Sequence, residues 1–175
     1  MTQMNSRVRP RDTPAPGWDW AAVYEAEGPT LQRYAQRLVG PADARDVLQE
    51  GFIRAMSAEK RPPRQEELRP WLYRIVSNLA IDVLRRRRRW RFLPLHHARS
   101  ELAQSSAESE IVRAALASIA PDQSVVLVLR LHERLSRAEI AQALGISESA
   151  VKGRLVRGRV NFVAAYRRLG GGHRS

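Results

Sequence analysis

The chain has 175 residues, 43% of them apolar, a formal charge of +12 and a pI near 11.4. That length holds one ordinary domain or two small ones, and the charge points to a polyanionic partner. Cysteine is absent, which excludes disulfides, cysteine–zinc sites and thiol redox sensing within this sequence. No apolar run approaches the roughly 18 residues of a membrane span, so none is expected. The first residues also lack the apolar core of a signal peptide, which makes the cytoplasm the expected compartment. Nearly all the cations are arginine, with lysine only at Lys60 and Lys152. Arginine suits bidentate contacts to phosphate and guanine, although a GC-rich genome produces the same bias.

Residues 1–17 combine Pro10, Pro14 and Pro16 with arginines and show no apolar periodicity, so they read as a disordered basic arm. Helical patterning starts near Trp18, with Trp20, Val23, Tyr24, Leu31, Tyr34, Ala35 and Leu38 supplying apolar contacts. A break is expected at Gly28-Pro29 and another at Gly40-Pro41. A second helix then runs to about Met56 with Val47, Leu48, Phe52 and Ile53 inward. Asp46, Gln49, Glu50 and Arg54 are left outside. An acidic patch on so basic a chain fits either a solvated face or a docking surface for a basic partner. Residues 57–69, with Pro62-Pro63, predict a loop, and Pro70 suits the first position of the next helix.

That helix, residues 70–89, carries a core stripe of Leu72, Ile75, Val76, Leu79 and Val83. Arg74, Asn78, Ile81, Arg85 and Arg88 lie on its other side. Arg85 to Arg89 is an unbroken arginine run that repels itself unless an anion neutralises it. Nucleic-acid phosphates are the expected anion; nuclear localisation is a less specific reading of the same run. Trp71, Tyr73 and Trp90 nearby could stack on unpaired bases or sit in the core. Residues 93–109 lack periodicity and read as a linker. Its adjacent His96 and His97 have no third ligand, so no metal site is expected. No cofactor is expected either. A further helix ends before Pro121, and Asp122 is placed to cap the next, which carries Val125, Val126, Leu127, Leu129 and Leu131.

Residues 135–159 then read as helix, sharp turn, helix. Ser136 and Glu139 have capping-box spacing, Gly145 suits a left-handed C-cap, and Ser147 caps the second helix. At about 100° per residue, Val151, Leu155, Gly158 and Phe162 share one edge of that helix. Ser149, Lys152, Gly153, Val156 and Arg157 share the other. Arginine and lysine donate to guanine O6 and N7, and a small apolar side chain meets a thymine methyl. The pattern is that of a recognition helix in a DNA major groove, with Arg154 and Arg159 flanking it toward phosphates. An ordinary surface helix would not need caps, turn, spacing and charge all to agree. The tail, residues 170–175, is expected to fray. No strand signal appears, so the chain reads as all-α in two lobes.

Residues 18–169 resemble a bacterial sigma factor of the extracytoplasmic-function, or group four, type. The motifs are DARDVLQEGFIRAM, LRPWLYRIVSNLAIDVLRRRRR and APDQSVVLVLRLHERLSRAEIAQALGISESAVKGRLVRGR, in that order. The resemblance implies region 2 at 18–92, a linker at 93–109 that threads through the polymerase, and region 4 at 110–169. It assigns Asp46, Gln49, Glu50 and Arg54 to core RNA polymerase. It sets Asn78, Asp82, Arg85 and Arg86, with Arg88, on or beside a minus-ten face, and gives the 57–69 loop a flipped base to hold. Ser149, Lys152, Gly153, Arg154, Val156 and Arg157 would serve the minus-thirty-five element. Gly153 and Gly158 stand where the family more often has serine and alanine, and His132-Glu133-Arg134 replaces a smaller turn. The implied partners are core polymerase, promoter DNA and an anti-sigma factor, the chain being a monomer when free. A stand-alone helix-turn-helix regulator is the alternative. No nucleophile–base set, phosphate loop or metal-spaced carboxylate pair suggests an enzyme, and no catalytic residue is assigned.

Overall fold

The computed structural model describes residues 17–90 and 107–171, and every regular element among them is helical. The expected arm up to residue 16, residues 91–106, which take in 93–106 of the expected linker and both its histidines, and residues 172–175 lie outside the described residues. In chain order the helices are α1 (Trp20–Ser57), α2 (Gln65–Trp90), α3 (Ala107–Ser118), α4 (Pro121–Leu131), α5 (Arg137–Leu144) and α6 (Glu148–Arg168).

Asp19 caps α1, its carboxylate accepting from the Ala21 and Ala22 amides at 3.1 and 3.2 Å. The expected break at Gly28-Pro29 does not occur. A residue before proline is pushed out of the helical region largely by its own Cβ, and Gly28 has none. The real kink is at Gly40, which is buried with φ 83° and ψ 169°, a backbone that glycine alone adopts cheaply. Leu31, Tyr34, Ala35 and Leu38 before the kink, and Val47, Leu48 and Phe52 after it, bury on the same core as Leu68, Leu72, Val76 and Leu79 of α2. Ile53, expected inward, is 46% exposed. Phe52 already fills the core-facing position, so Ile53 falls on the outer stripe that carries Asp46 and Glu50.

α2 starts at Gln65, not Pro70, which shortens the expected loop to residues 58–64. Glu66 and Glu67 sit in its first turn, where negative charge meets the positive end of the helix dipole, and Leu68 anchors the turn at 1% exposure. Pro70 removes one amide from the ladder, and the carbonyl four residues before it belongs to Glu66, an exposed residue. Inside the core the Tyr34 and Ser77 hydroxyls pair at 2.7 Å. At the rim Arg69 meets Glu27 at 3.3 Å and Arg87 meets Asp43 at 2.5 Å.

The second unit is built around α4, whose Val125, Val126, Val128 and Leu129 are fully buried. Pro121 takes N1 with its preset φ, so Ala120 becomes the N-cap, without a side-chain cap bond. Asp122, expected to cap, lies inside the first turn and pairs with Arg154 at 3.2 Å. α6 crosses α4 at Gly158, where an added Cβ would stand 3.3 Å from Gln123 and Leu127. Gln123 accepts from Asn161 at 2.9 Å beside it, and Ser124 donates to the Leu116 carbonyl at 2.6 Å. The two units touch: α2 packs on α5, and α1 packs on α3 and α4.

Candidate nucleic-acid interface

The helix-turn-helix is assembled by its own caps. Ser136 accepts from the Glu139 amide at 3.2 Å while Glu139 accepts from the Ser136 amide at 2.7 Å. That pair of bonds holds the Glu139 carboxyl below its usual range. Gly145 ends α5 in the left-handed conformation, φ 66° and ψ 38°, with its amide donating to the Ala141 and Gln142 carbonyls. Ser147 then opens α6 by accepting from Ala150 at 3.1 Å. Val151 and Leu155 are buried, which turns Ser149, Lys152, Val156 and Arg157 to solvent. Val156 is 57% exposed on this face. Gly153 is half-buried because the Arg157 guanidinium lies along it; an added Cβ would stand 3.3 Å from Arg157 Nη1. Arg154 points elsewhere, to Asp122, and Arg159 turns to the apolar groove beside Phe162.

On α2, Asn78, Asp82, Arg85, Arg86 and Arg88 are all exposed. Asn78, Asp82 and Arg85 line one wall of a cleft of about 530 Å³, and Arg54 joins them from α1. The opposite wall is Asp122, Val125, Leu144, Ile146 and Arg154 of the second unit. Arg86 is not part of the cleft lining, and Arg88 Nη1 donates to the Ile119 carbonyl at 3.4 Å. Tyr73 is buried in the core, not available for stacking on bases, and Trp71 is half-buried. The loop at 58–64 is pinned by Arg61, which donates to the Met56 carbonyl and lies 5.6 Å over the Trp20 ring.

The outer stripe of α1 carries Asp46 and Gln49, exposed, and Glu50, half-buried and paired with Arg54 at 2.7 Å. Ile53 and Met56 continue the stripe at 46% and 42% exposure. Carboxylates interleaved with large apolar side chains make a surface that both attracts a basic partner and gains by being covered.

Two family profiles match the chain: Sigma-70 region 2 over residues 23–90 and Sigma-70, region 4 over residues 109–161. The chain is 33% identical over 144 residues to the ECF RNA polymerase sigma factor SigL of Mycobacterium tuberculosis, covering 77% of this chain and 81% of that protein. The chain belongs to the ECF RNA polymerase sigma factors. SigE of Mycolicibacterium smegmatis is 35% identical over 156 residues, and there the match spans 82% of this chain but only 59% of the relative's length. Among solved structures, CnrH in complex with the cytosolic domain of CnrY matches at 28% identity with a TM-score of 0.61, over 83% of this chain and 85% of that one. The sigma factor RpoE of Bartonella quintana, in complex with the anti-sigma factor NepR, matches at 21% identity with a TM-score of 0.66 and supports the fold, covering 85% of this chain and 97% of its own.

The all-helical, two-unit reading of this sigma factor stands on these matches. Sequence reasoning missed two features. Sequence reasoning gives Ile53 and Met56 no surface role, although Ile53 follows Glu50 by three residues and Met56 follows Gln49 by seven, spacings that share a helix edge. The second was the inward turn of Arg154, which Asp122 attracts from a helix far away in sequence.

Proposed function

We propose that this sigma factor is the promoter-recognition subunit of a bacterial RNA polymerase, acting in the cytoplasm and catalysing nothing itself. In this reading α6 enters the major groove at the minus-thirty-five element. Lys152, Arg157 and Val156 meet base edges, Gly153 gives close approach, Ser149 lies at the entry, and Arg154 is recruited to a phosphate once it leaves Asp122. α2 grips the opened minus-ten region, with Asn78, Asp82 and Arg85 toward bases and Arg86 and Arg88 toward backbone. Asp46, Gln49, Glu50 and Arg54, extended by Ile53 and Met56, dock on core polymerase. The observation that carries the reading is one chain presenting both faces: a capped helix with Lys152, Val156 and Arg157 outward, and a helix whose last turns carry the arginine run from Arg85 to Arg89. A stand-alone regulator would leave the profile match over residues 23–90 without a role.

Opening a base costs a few kcal/mol, offset by the pocket that receives it. The arginine run supplies a sequence-independent backbone term that falls steeply with salt. A separate anti-sigma protein is the proposed regulator, as NepR is for RpoE of Bartonella quintana. Run-off transcription with core polymerase on a randomised promoter library tests the reading. Enrichment of two spaced motifs is expected; transcripts no different from core polymerase alone would end it.

A further inference from the structure

The two glycines of α6 stand there for different reasons. Gly158 faces α4, where Gln123 and Leu127 fill the space a Cβ would take. At Gly153 the three atoms nearest to an added Cβ, beyond the helix's own backbone, all belong to Arg157: Nη1, Nη2 and Cζ at 3.3, 3.5 and 3.7 Å. Nor is a left-handed backbone involved, since among the described residues the glycines with positive φ are Gly40, Gly145 and Gly170. A glycine in mid-helix weakens the helix relative to alanine, and at Gly153 neither a neighbouring helix nor the backbone accounts for that cost. What occupies the vacated space is a guanidinium. Residues four apart share a helix face, and a long side chain leans toward the N-terminus, over the turn before it. Arg157 therefore lies on the bare backbone of Gly153 while staying exposed itself. Arg154 gives the contrast, because Asp122 neutralises it at 3.2 Å. Arg157 has no ion pair among the described residues, so contact with its own helix, not a carboxylate, sets its position.

We propose that Gly153 is a specificity-determining positioning residue: the side chain it lacks leaves the seat from which Arg157 is aimed at one guanine of the minus-thirty-five element. The inference rests on the promoter-reading role proposed above and says how α6 discriminates. A bidentate contact to guanine O6 and N7 needs the planar fork in one orientation. A fork already resting against its own helix loses less freedom on binding, and it discriminates by geometry where a mobile one contributes mainly charge. The approach that Gly153 permits is thus, first, that of the guanidinium to α6 itself. A Cβ at this position would stand closer to Nη1 than ordinary contact allows, so the guanidinium would have to lift by a few tenths of an ångström off the backbone that holds it. The serine more usual in the family brings that Cβ and a hydroxyl besides, which makes the seat a property of this chain's glycine.

Gly153→Ala tests the seat because its two expected effects have opposite signs. Alanine strengthens the helix, so the urea midpoint of the full-length protein should rise. Holoenzyme formed with the same variant should choose its minus-thirty-five element less sharply: guanine preference falls about tenfold at one base position and is retained at the others. In an Arg157→Ala background the substitution should change no base preference, because the fork it displaces is gone. In the free full-length protein, nitrogen-15 relaxation of the Arg157 Nε–Hε group, assigned by its absence in Arg157→Lys, should show restricted motion that Gly153→Ala releases. Free motion of that group in the unsubstituted protein, an unchanged guanine preference, equal weakening on every promoter, or the same loss with and without Arg157 would each overturn the proposal. Transcripts from the unsubstituted holoenzyme no different from those of core polymerase alone would instead remove the sigma role. The relaxation measurement, made without polymerase, would still decide whether Gly153 holds Arg157.

Discussion

Arg157 and Lys152 are the side chains whose removal separates base reading from charge. If Arg157 makes a bidentate guanine contact, Arg157→Ala costs about 1–3 kcal/mol at one base position and relaxes preference there. A promoter-library readout in which every sequence weakens equally would make it a phosphate contact. Tyr34→Phe tests the core by one atom. The Ser77 hydroxyl loses its 2.7 Å partner in a buried site, and urea unfolding should report a loss of about 1–3 kcal/mol. His132 makes a pH prediction. Partial burial first, and the charge of Arg37 second, lower its pKa below 6.5, with Glu133 opposing. As pH falls through about 6.5 the unfolded chain takes the proton before the folded one, so stability declines there and levels off below the folded-state value. His132→Gln should flatten the fall in urea midpoint between about pH 7.5 and about pH 5.5. An unchanged slope would place the titration elsewhere.

At the scale of elements, local chemistry was the most legible part of the sequence. Ser136, Glu139, Gly145 and Ser147 marked the ends of α5 and the start of α6, because caps depend on residues a few positions apart. Ser136→Ala should therefore cost about 1 kcal/mol and fray α5, seen as faster amide exchange at residues 137–140 with α4 unaffected. What depends on packing was less legible. Proline rules alone gave a break at Gly28 and a start at Pro70. The structure instead continues α1 because Gly28 lacks a Cβ, and it starts α2 early because buried Leu68 anchors the extra turn. Ile53 had the right hydropathy for the core, but Phe52 occupied the place. Gly158 was recognisable as core-facing from its position with Val151, Leu155 and Phe162. Gly158→Val should push α6 off α4 at Gln123 and Leu127 and destabilise the second unit by about 1–3 kcal/mol, read in the same unfolding assay.

Across the whole molecule, the sequence showed two units and a family resemblance but not how they pack. Tyr73–Glu133 and Arg74–Gln142 join residues 60 and 68 positions apart, and each pair involves side chains that look ordinary in their own helix or turn. No periodicity encodes such a contact. The acidic stripe of α1 makes neither of these links. Asp46→Arg should weaken binding to core polymerase roughly tenfold while leaving the helicity of the free chain unchanged. Equal polymerase affinity would remove that stripe from the docking surface.

The scarcity of lysine has a practical corollary. Lys60 lies in the loop between α1 and α2, and Lys152 lies on the exposed edge of α6. An amine-acylating reagent will therefore modify these side chains and the α-amino group alone, giving each unit its own chemical reporter. Protection of Lys152 in a mass-spectrometric footprint would time the arrival of duplex DNA on the proposed reading helix, and protection of Lys60 would test whether the 58–64 loop meets the opened strand. The order of the two events in initiation can be read from one unsubstituted protein.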